Sequence, residues 1–116
     1  MSRKSRSDTA LKRRTRAPIF AALGDETRLR LIAKLSGGEP RSISELTQGS
    51  KLTRQAITKH LRVLERAEIV RSVHSGRQSL FEFNPEPMEE MKRYLEVVSK
   101  QWDRTLVRLK SFVEGN

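Results

Sequence analysis

The stretch Leu52-Thr53-Arg54-Gln55-Ala56-Ile57-Thr58-Lys59-His60-Leu61-Arg62-Val63-Leu64 constrains this chain more than any other. Ile57, Leu61 and Leu64 recur at offsets of four and three, the spacing of a buried stripe on an α-helix. Arg54, Gln55, Thr58, Lys59 and Arg62 fall on the opposite side, with no acid among them. Thr53 suits the N-cap, where its hydroxyl accepts from a free N–H of the first turn. Leu52 before the cap and Ile57 inside the helix form a hydrophobic staple. Long cationic donors beside short hydroxyl and amide groups are what reads base edges and grips phosphates in a major groove. Seen alone, the helix is equally an ordinary amphipathic one with a solvated basic face. Its surroundings decide.

The net charge of +10 over 116 residues is unevenly placed. Residues 1–16 hold seven basic side chains against Asp8, and residues 51–77 hold seven against Glu65 and Glu68. Residues 17–50 and 85–116 each balance. The excess therefore sits in the N-terminal arm and around the basic helix, the footprint expected for a polyanion. A membrane surface would accept the same charge, but the basic helix lacks the exposed Trp, Phe and Leu face of an interfacial anchor. No apolar run approaches the roughly 18 residues of a membrane span, and no signal-peptide core is present. A soluble, cytoplasmic protein without membrane contact is the expectation. Without cysteine there is no disulfide, thiolate metal site or cysteine nucleophile.

Taken in order, residues 1–16 read as a disordered basic arm. It engages DNA backbone or minor groove, or it is a solubilising extension. Residues 17–116 form the folded domain. Pro18 opens a short helix with Ile19, Phe20 and Leu23 on one face, ended by Gly24. Asp25 caps a second helix, Glu26 to about Ser36, expected to bury Leu29, Ile32 and Leu35. Arg41-Ser42-Ile43 is a short extended piece, and Ser44 caps a brief helix through Gln48 that buries Leu46. Gly49-Ser50-Lys51 then connects tightly to the basic helix, a helix-turn-helix pattern. Ile69–His74 and Leu80–Phe83 read as strands of a hairpin with a basic tip at Gly76-Arg77, as in a wing.

The last helix starts near Pro87 and runs to about Val113. Met88, Met91, Leu95, Val98, Trp102, Thr105, Leu109 and Phe112 alternate at three and four, a heptad-like seam that needs a long apolar partner. The first helix covers part of it, and self-association is the natural cover for the rest. Met91, Leu95, Val98, Trp102 and Leu109 are the candidate dimerisation residues.

Leu23-Gly24-Asp25-Glu26-Thr27-Arg28-Leu29-Arg30-Leu31-Ile32, Ile43-Ser44-Glu45-Leu46, the segment Thr53–Glu65, Ile69-Val70-Arg71 and Gly76-Arg77 strongly resemble the ArsR-type (arsenic-repressor) family of winged helix-turn-helix regulators. The resemblance covers about residues 17–110. It implies a mainly α fold with a small β-hairpin wing, dimerising through the terminal helices. It also implies double-stranded DNA as partner, through a near-palindromic operator entered by two recognition helices, and repression relieved by an inducer.

The chain departs from the metal-sensing members. Ser42-Ile43-Ser44 stands where thiolate-sensing members carry Cys-Val-Cys, and hydroxyls do not hold soft metal ions. Residues 85–116 contain no His, so the last-helix metal site of other members is missing too. The resemblance is therefore to the metal-independent branch, with no cofactor and an unidentified effector. His60 packs structurally or contacts phosphate, and His74 faces solvent on the wing. No Gly-rich phosphate loop, nucleophile elbow or acid–base cluster occurs, so the chain is not expected to be an enzyme.

The candidate DNA-binding residues are Lys51, Thr53, Arg54, Gln55, Thr58, Lys59, Arg62 and Arg77. Arg54, Gln55, Thr58 and Lys59 supply base and backbone contacts, Arg62 and Lys51 bind phosphate, Arg77 tips the wing and Thr53 fixes the helix start. A sequence-specific homodimeric repressor is the leading expectation. A winged-helix module for an acidic protein and a non-specific DNA-coating protein are the alternatives.

Overall fold

Eight side chains with almost no exposure, among them Leu35, Leu46, Leu61, Leu64 and Phe81, fix how the helices and the hairpin meet. The computed structural model describes residues 16–115, so the basic arm lies outside the described residues except for Arg16. Helix α1 spans residues 16–23. It is followed by α2 (Glu26–Leu35), β1 (Arg41–Ser42), α3 (Ile43–Thr47), α4 (Arg54–Arg66), β2 (Val70–Ser75), β3 (Gln78–Phe83) and α5 (Pro85–Val113). The fold is mainly α with a β wing, as expected. The wing has three strands in the order β1-β3-β2, because Arg41 and Ser42 pair antiparallel with Phe81 and Leu80.

Local chemistry explains most boundaries. Thr53 caps α4, its hydroxyl accepting from the Ala56 N–H at 3.1 Å. Ser42, rather than Ser44, caps α3: its hydroxyl accepts from the Glu45 N–H while Glu45 accepts from the Ser42 N–H. That reciprocal Ser-x-x-Glu capping box satisfies two donors at once, which Ser44 with Thr47 three residues on does not offer. It also holds the Glu45 carboxyl below its ordinary range, chiefly through the Ser42 N–H and hydroxyl. Helix α5 starts two residues before Pro87, with Asn84 as cap and Pro85 inside the first turn.

Two expected core positions move to the surface. On α2 the buried pair is Leu31 and Leu35, whereas Leu29 is 50 % exposed. A four-residue spacing keeps Leu31 and Leu35 on one stripe, and Leu29 falls away from it. On α1 the buried residues are Ile19 and Ala22, while Phe20 lies at the rim, its ring 6.1 Å from that of Tyr94 on α5. Arg16 stacks over the other side of this cluster, 4.5 Å from the Tyr94 ring centroid.

The wing docks on α4 through Glu65. Its carboxylate accepts from the Ser72 hydroxyl at 2.6 Å and from Arg62 at 2.8 Å. These bonds, Ser72 first, hold Glu65 below the usual carboxylate range, while partial burial pulls the other way. Arg71 pairs across the sheet with Glu82, not with Glu65 or Glu68. The hairpin tip is tighter than expected. Ser75 pairs with Gln78, leaving Gly76-Arg77 as a two-residue turn whose first residue takes φ +63°.

The end of α4 holds an unusual residue. Glu68 adopts φ +62°. Its N–H donates to the Glu65 carbonyl and the Ile69 N–H reaches back to Leu64, both at 2.9 Å. This is the Schellman arrangement, normally completed by glycine, and buried Ile69 over buried Leu64 supplies its hydrophobic contact. The left-handed conformation costs a non-glycine residue roughly 1 kcal/mol. No side-chain hydrogen bond or ion pair of Glu68 offsets it among the described residues.

Glu68→Gly should therefore raise stability by about 0.5 kcal/mol, since glycine's extra unfolded-state entropy cancels part of the gain; thermal denaturation would show a small rise in Tm. Glu65→Gln should lower stability by about 1 kcal/mol at neutral pH. A carboxylate with a depressed folded pKa stabilises fully above its unfolded value, about pH 4.3. That contribution is lost as pH falls through the lower folded value, so the wild-type and Glu65→Gln denaturation curves should converge in acid.

Candidate nucleic-acid interface

Helical geometry divides the α4 side chains, and their hydrogen bonds show which remain available. Ile57, Leu61 and Leu64 are buried. Gln55, Lys59, Arg62 and Arg66 follow at offsets of four, three and four, so they share the exposed outer face. Arg54 and half-buried Thr58 lie on one flank of it, and His60 lies on the other. Arg66 is an addition to the candidates; its four-residue spacing from Arg62 was the available signal.

Lys51, Arg54, Gln55, Lys59 and Arg77 are exposed and make no side-chain hydrogen bond or ion pair among the described residues. Their donors are free for a ligand. The hydroxyls are not equally free. Thr53 is committed to its cap, and Thr58 donates its proton to the Arg54 carbonyl at 2.7 Å. Outward, Thr58 therefore offers a methyl and an acceptor rather than a donor. Arg62 is held by Glu65, an exposed pair of the kind worth little in water. A phosphate can take Arg62 from it at small cost. Arg77 occupies the hairpin turn, and β2 carries that turn forward from its anchor at Glu65.

Arg28 orients α4, a role that sequence reasoning did not assign. Its Nε donates to the Ala22 carbonyl at 2.7 Å and its Nη2 to the Ala21 carbonyl at 3.3 Å, capping the end of α1. Its backbone N–H donates to the Asp25 side chain at 3.0 Å, the N-cap of α2. Its Nη1 lies 3.2 Å from His60 Nδ1 on α4. Arginine only donates, so in this contact the ring nitrogen is the acceptor. Asp25 sits 3.7 Å from the same ring nitrogen. The Arg28 N–H is the main cause holding the Asp25 carboxyl below its ordinary range. His60 thus packs structurally, against Arg28 and Asp25 at the start of α2.

The dimerisation candidates divide as well. Met91 is buried in the chain's own core, against Met88 and its neighbours, so the exposed part of the stripe begins at Leu95. Val98 is half-buried, whereas Trp102 is 60 % and Leu109 55 % exposed. Leu106, Phe112 and Val113 extend this surface. Thr105, the polar member of the seam, satisfies its hydroxyl on the Gln101 carbonyl.

No helix among the described residues is long and apolar enough to cross a membrane. At the position of the family's thiolate pair, Ser42 is nearly buried with its hydroxyl accepting the Glu45 N–H. This donor set does not fit a soft metal ion. Among the described residues no group of three His, Asp or Glu side chains is placed to hold one.

Comparison with known proteins agrees with this geometry. Residues 23–73 match the model of a helix-turn-helix domain. An uncharacterised HTH-type transcriptional regulator of Bacillus subtilis is 40 % identical over 79 residues, 63 % of this chain and 86 % of that protein. The structure of an ArsR-like transcriptional regulator from Rhodococcus superposes with a TM-score of 0.71 at 36 % identity, covering 83 % of this chain and 90 % of that one. The fold is shared at 17 % identity, with a TM-score of 0.62, by a homodimeric winged helix-turn-helix DNA-binding domain from Mycobacterium bovis; 80 % of this chain and 85 % of that one align. DNA binding and transcriptional regulation, not catalysis, are the business of such proteins, and the chain belongs to the ArsR-type family of winged helix-turn-helix transcriptional regulators.

Proposed function

We propose that the chain is a sequence-specific, homodimeric repressor of the metal-independent kind, acting on a near-palindromic operator in the cytoplasm. One observation carries the reading: the outer face of α4 and its flank keep Gln55, Lys59 and Arg54 without side-chain partners among the described residues, with Lys51 and Arg77 in the same state. In the free chain these exposed donors are solvated by water, and they can pass to an anion without breaking a contact among the described residues.

Gln55 and Arg54 have the bidentate reach that discriminates base edges in the major groove. Lys51, Lys59 and Arg62 neutralise phosphate, and Thr53 presents the N-terminal amides of α4 to the backbone. Arg77 follows the wing to an adjacent stretch of DNA. Ser42 and the His-free last helix favour a signal other than a metal.

Self-association is supported by the apolar stripe of α5 beyond Leu95. It continues to Val113, about 27 Å at 1.5 Å per residue. A second copy covers such a stripe along its length, and the Mycobacterium bovis domain of the same fold is a homodimer. Two-fold pairing would set two recognition helices one DNA turn apart, roughly 34 Å.

Selection from random DNA should return a two-fold related site. Gln55→Ala should then change the preferred base at one position per half-site, at about 1–3 kcal/mol of discrimination. Lys51→Gln should weaken all sequences alike and reduce the salt slope by about one. Equal loss on every sequence for Gln55→Ala would sink the base-reading assignment, and equal competition by random DNA would favour a DNA-coating protein. Trp102→Glu should convert the dimer to monomer in sedimentation equilibrium while leaving the helical circular dichroism intact.

A further inference from the structure

Arg28, Asp25 and His60 bring three chargeable side chains to one point where α2 meets α4. Arg28 Nη1 lies 3.2 Å from His60 Nδ1, and Asp25 Oδ2 lies 3.7 Å from the same nitrogen. The cluster is partly shielded, with 24 % of the His60 side chain and 34 % of the Asp25 side chain meeting solvent. The same Asp25 oxygen accepts the Arg28 backbone N–H at 3.0 Å as the cap of α2.

The charged groups that face His60 come from α2, as Arg28 and Asp25. On α4 its neighbours three and four residues away are Ala56, Ile57, Val63 and Leu64, none of which titrates. Glu65 is turned to Ser72 of the wing, and Glu45 of α3 is bonded to Ser42. Helix α1 supplies the Ala21 and Ala22 carbonyls, both held by Arg28. The Asp25 carboxyl is kept below its ordinary range, chiefly by the Arg28 N–H. It therefore stays charged where an imidazole ordinarily changes charge, between about pH 5 and pH 8.

One ring nitrogen cannot serve both neighbours in the same protonation state. Bare Nδ1 accepts from Arg28; protonated Nδ1 has no lone pair for the guanidinium and finds its acceptor in Asp25. We propose that His60 is a proton-operated coupling in α4, tied through Arg28 to α1 when neutral and turned to Asp25 when it takes a proton from solvent. In that exchange Arg28 keeps the Ala21 and Ala22 carbonyls but loses α4, which is then tied to the α2 cap instead of to α1. The consequence for DNA rests on the DNA-binding reading above. Base edges need aligned donors from Arg54 and Gln55, whereas phosphate contacts carry no sequence information and tolerate a shifted helix. The exchange therefore costs discrimination between operator and random DNA. The added positive charge strengthens binding to both alike and cancels from their ratio.

Ring-nitrogen NMR on the full chain without DNA, from about pH 8 to about pH 5.5, should show His60 Nδ1 gaining its proton while the Arg28 guanidinium signals move in step. With an operator selected from random DNA, the ratio of operator to random-DNA affinity should fall about fivefold over the same range. His60→Asn puts an amide oxygen near the Nδ1 position, an acceptor for Arg28 that does not titrate, and should hold the ratio level. His74 is the other histidine of the chain, so His74→Gln should leave the fall in place. Arg28 signals that ignore His60 protonation, or a wild-type ratio constant with pH, would overturn the coupling. So would a fall that persists in folded His60→Asn or vanishes in His74→Gln. If His60→Asn does not fold, the wild-type NMR titration and His74→Gln still decide. Absence of operator-selective binding at about pH 8 would overturn the DNA reading instead, because the exchange between Arg28 and Asp25 is measured without DNA.

Discussion

Arg28 is the interaction on which the placement of the helices depends. One guanidinium closes the carbonyl end of α1 and meets His60 in the middle of α4, while the Arg28 backbone completes the cap of α2. Each contact restrains the others, since the side chain reaches the α1 carbonyls only where α2 begins at Asp25. Lysine has no planar fork to divide between two carbonyls and an imidazole. The Gly-Asp-Glu-Thr-Arg segment thus has a physical reason: Gly24 ends one helix, Asp25 caps the next and Arg28 ties both to α4.

Availability, rather than charge, separates the candidate DNA contacts. The basic residues of the domain fall into two groups. Arg28, Lys34, Arg41 and Arg71 hold carbonyls or carboxylates and so fix helix ends and strands. Lys51, Arg54, Lys59 and Arg77 hold no partner among the described residues. Arg62 stands between, bonded to Glu65 yet more than half exposed. A count of positive residues cannot make this division, because it depends on which carbonyls and carboxylates the fold delivers to each side chain.

The same distinction explains what was legible in the sequence. Period and capping chemistry are local, so the order of elements, the Thr53 and Asp25 caps, the hairpin and the long last helix could all be read from neighbouring residues. The outward face of α4 followed from the same period. Misplacements arose where a choice depended on long-range contacts, except at the α3 cap, where the deciding Ser-x-x-Glu spacing is itself local. Ser42 and Ser44 are both plausible caps by residue type, and Glu45, three residues after Ser42, decides between them. Leu29 and Leu31 are equally apolar, and only the packing of α2 selects Leu31. The roles of Arg28, and of Glu65 toward Ser72, cross from one element to another and leave no local pattern. Glu68 gave no signal either, since a left-handed residue at a helix end is ordinarily read from glycine.

The recognition helix is held at two places by the segments that bear the apolar stripe. Asn84 caps α5, donates its backbone N–H to Ile69 at 2.8 Å and its side-chain amide to the Glu68 carbonyl at 2.9 Å. The start of α5 is therefore fastened to the end of α4. Arg28 fastens α1 to the middle of α4, and α1 meets α5 again through Phe20 and Tyr94. In the proposed dimer, a shift of α5 against its partner cannot stay in α5. It would be passed to α4 through these two fastenings, the Asn84 bonds to the Ile69 and Glu68 carbonyls and the Arg28 contact with the His60 ring. Spacing between the two recognition helices is then a property of the α5 seam, and an effector need not touch DNA-facing side chains to change it.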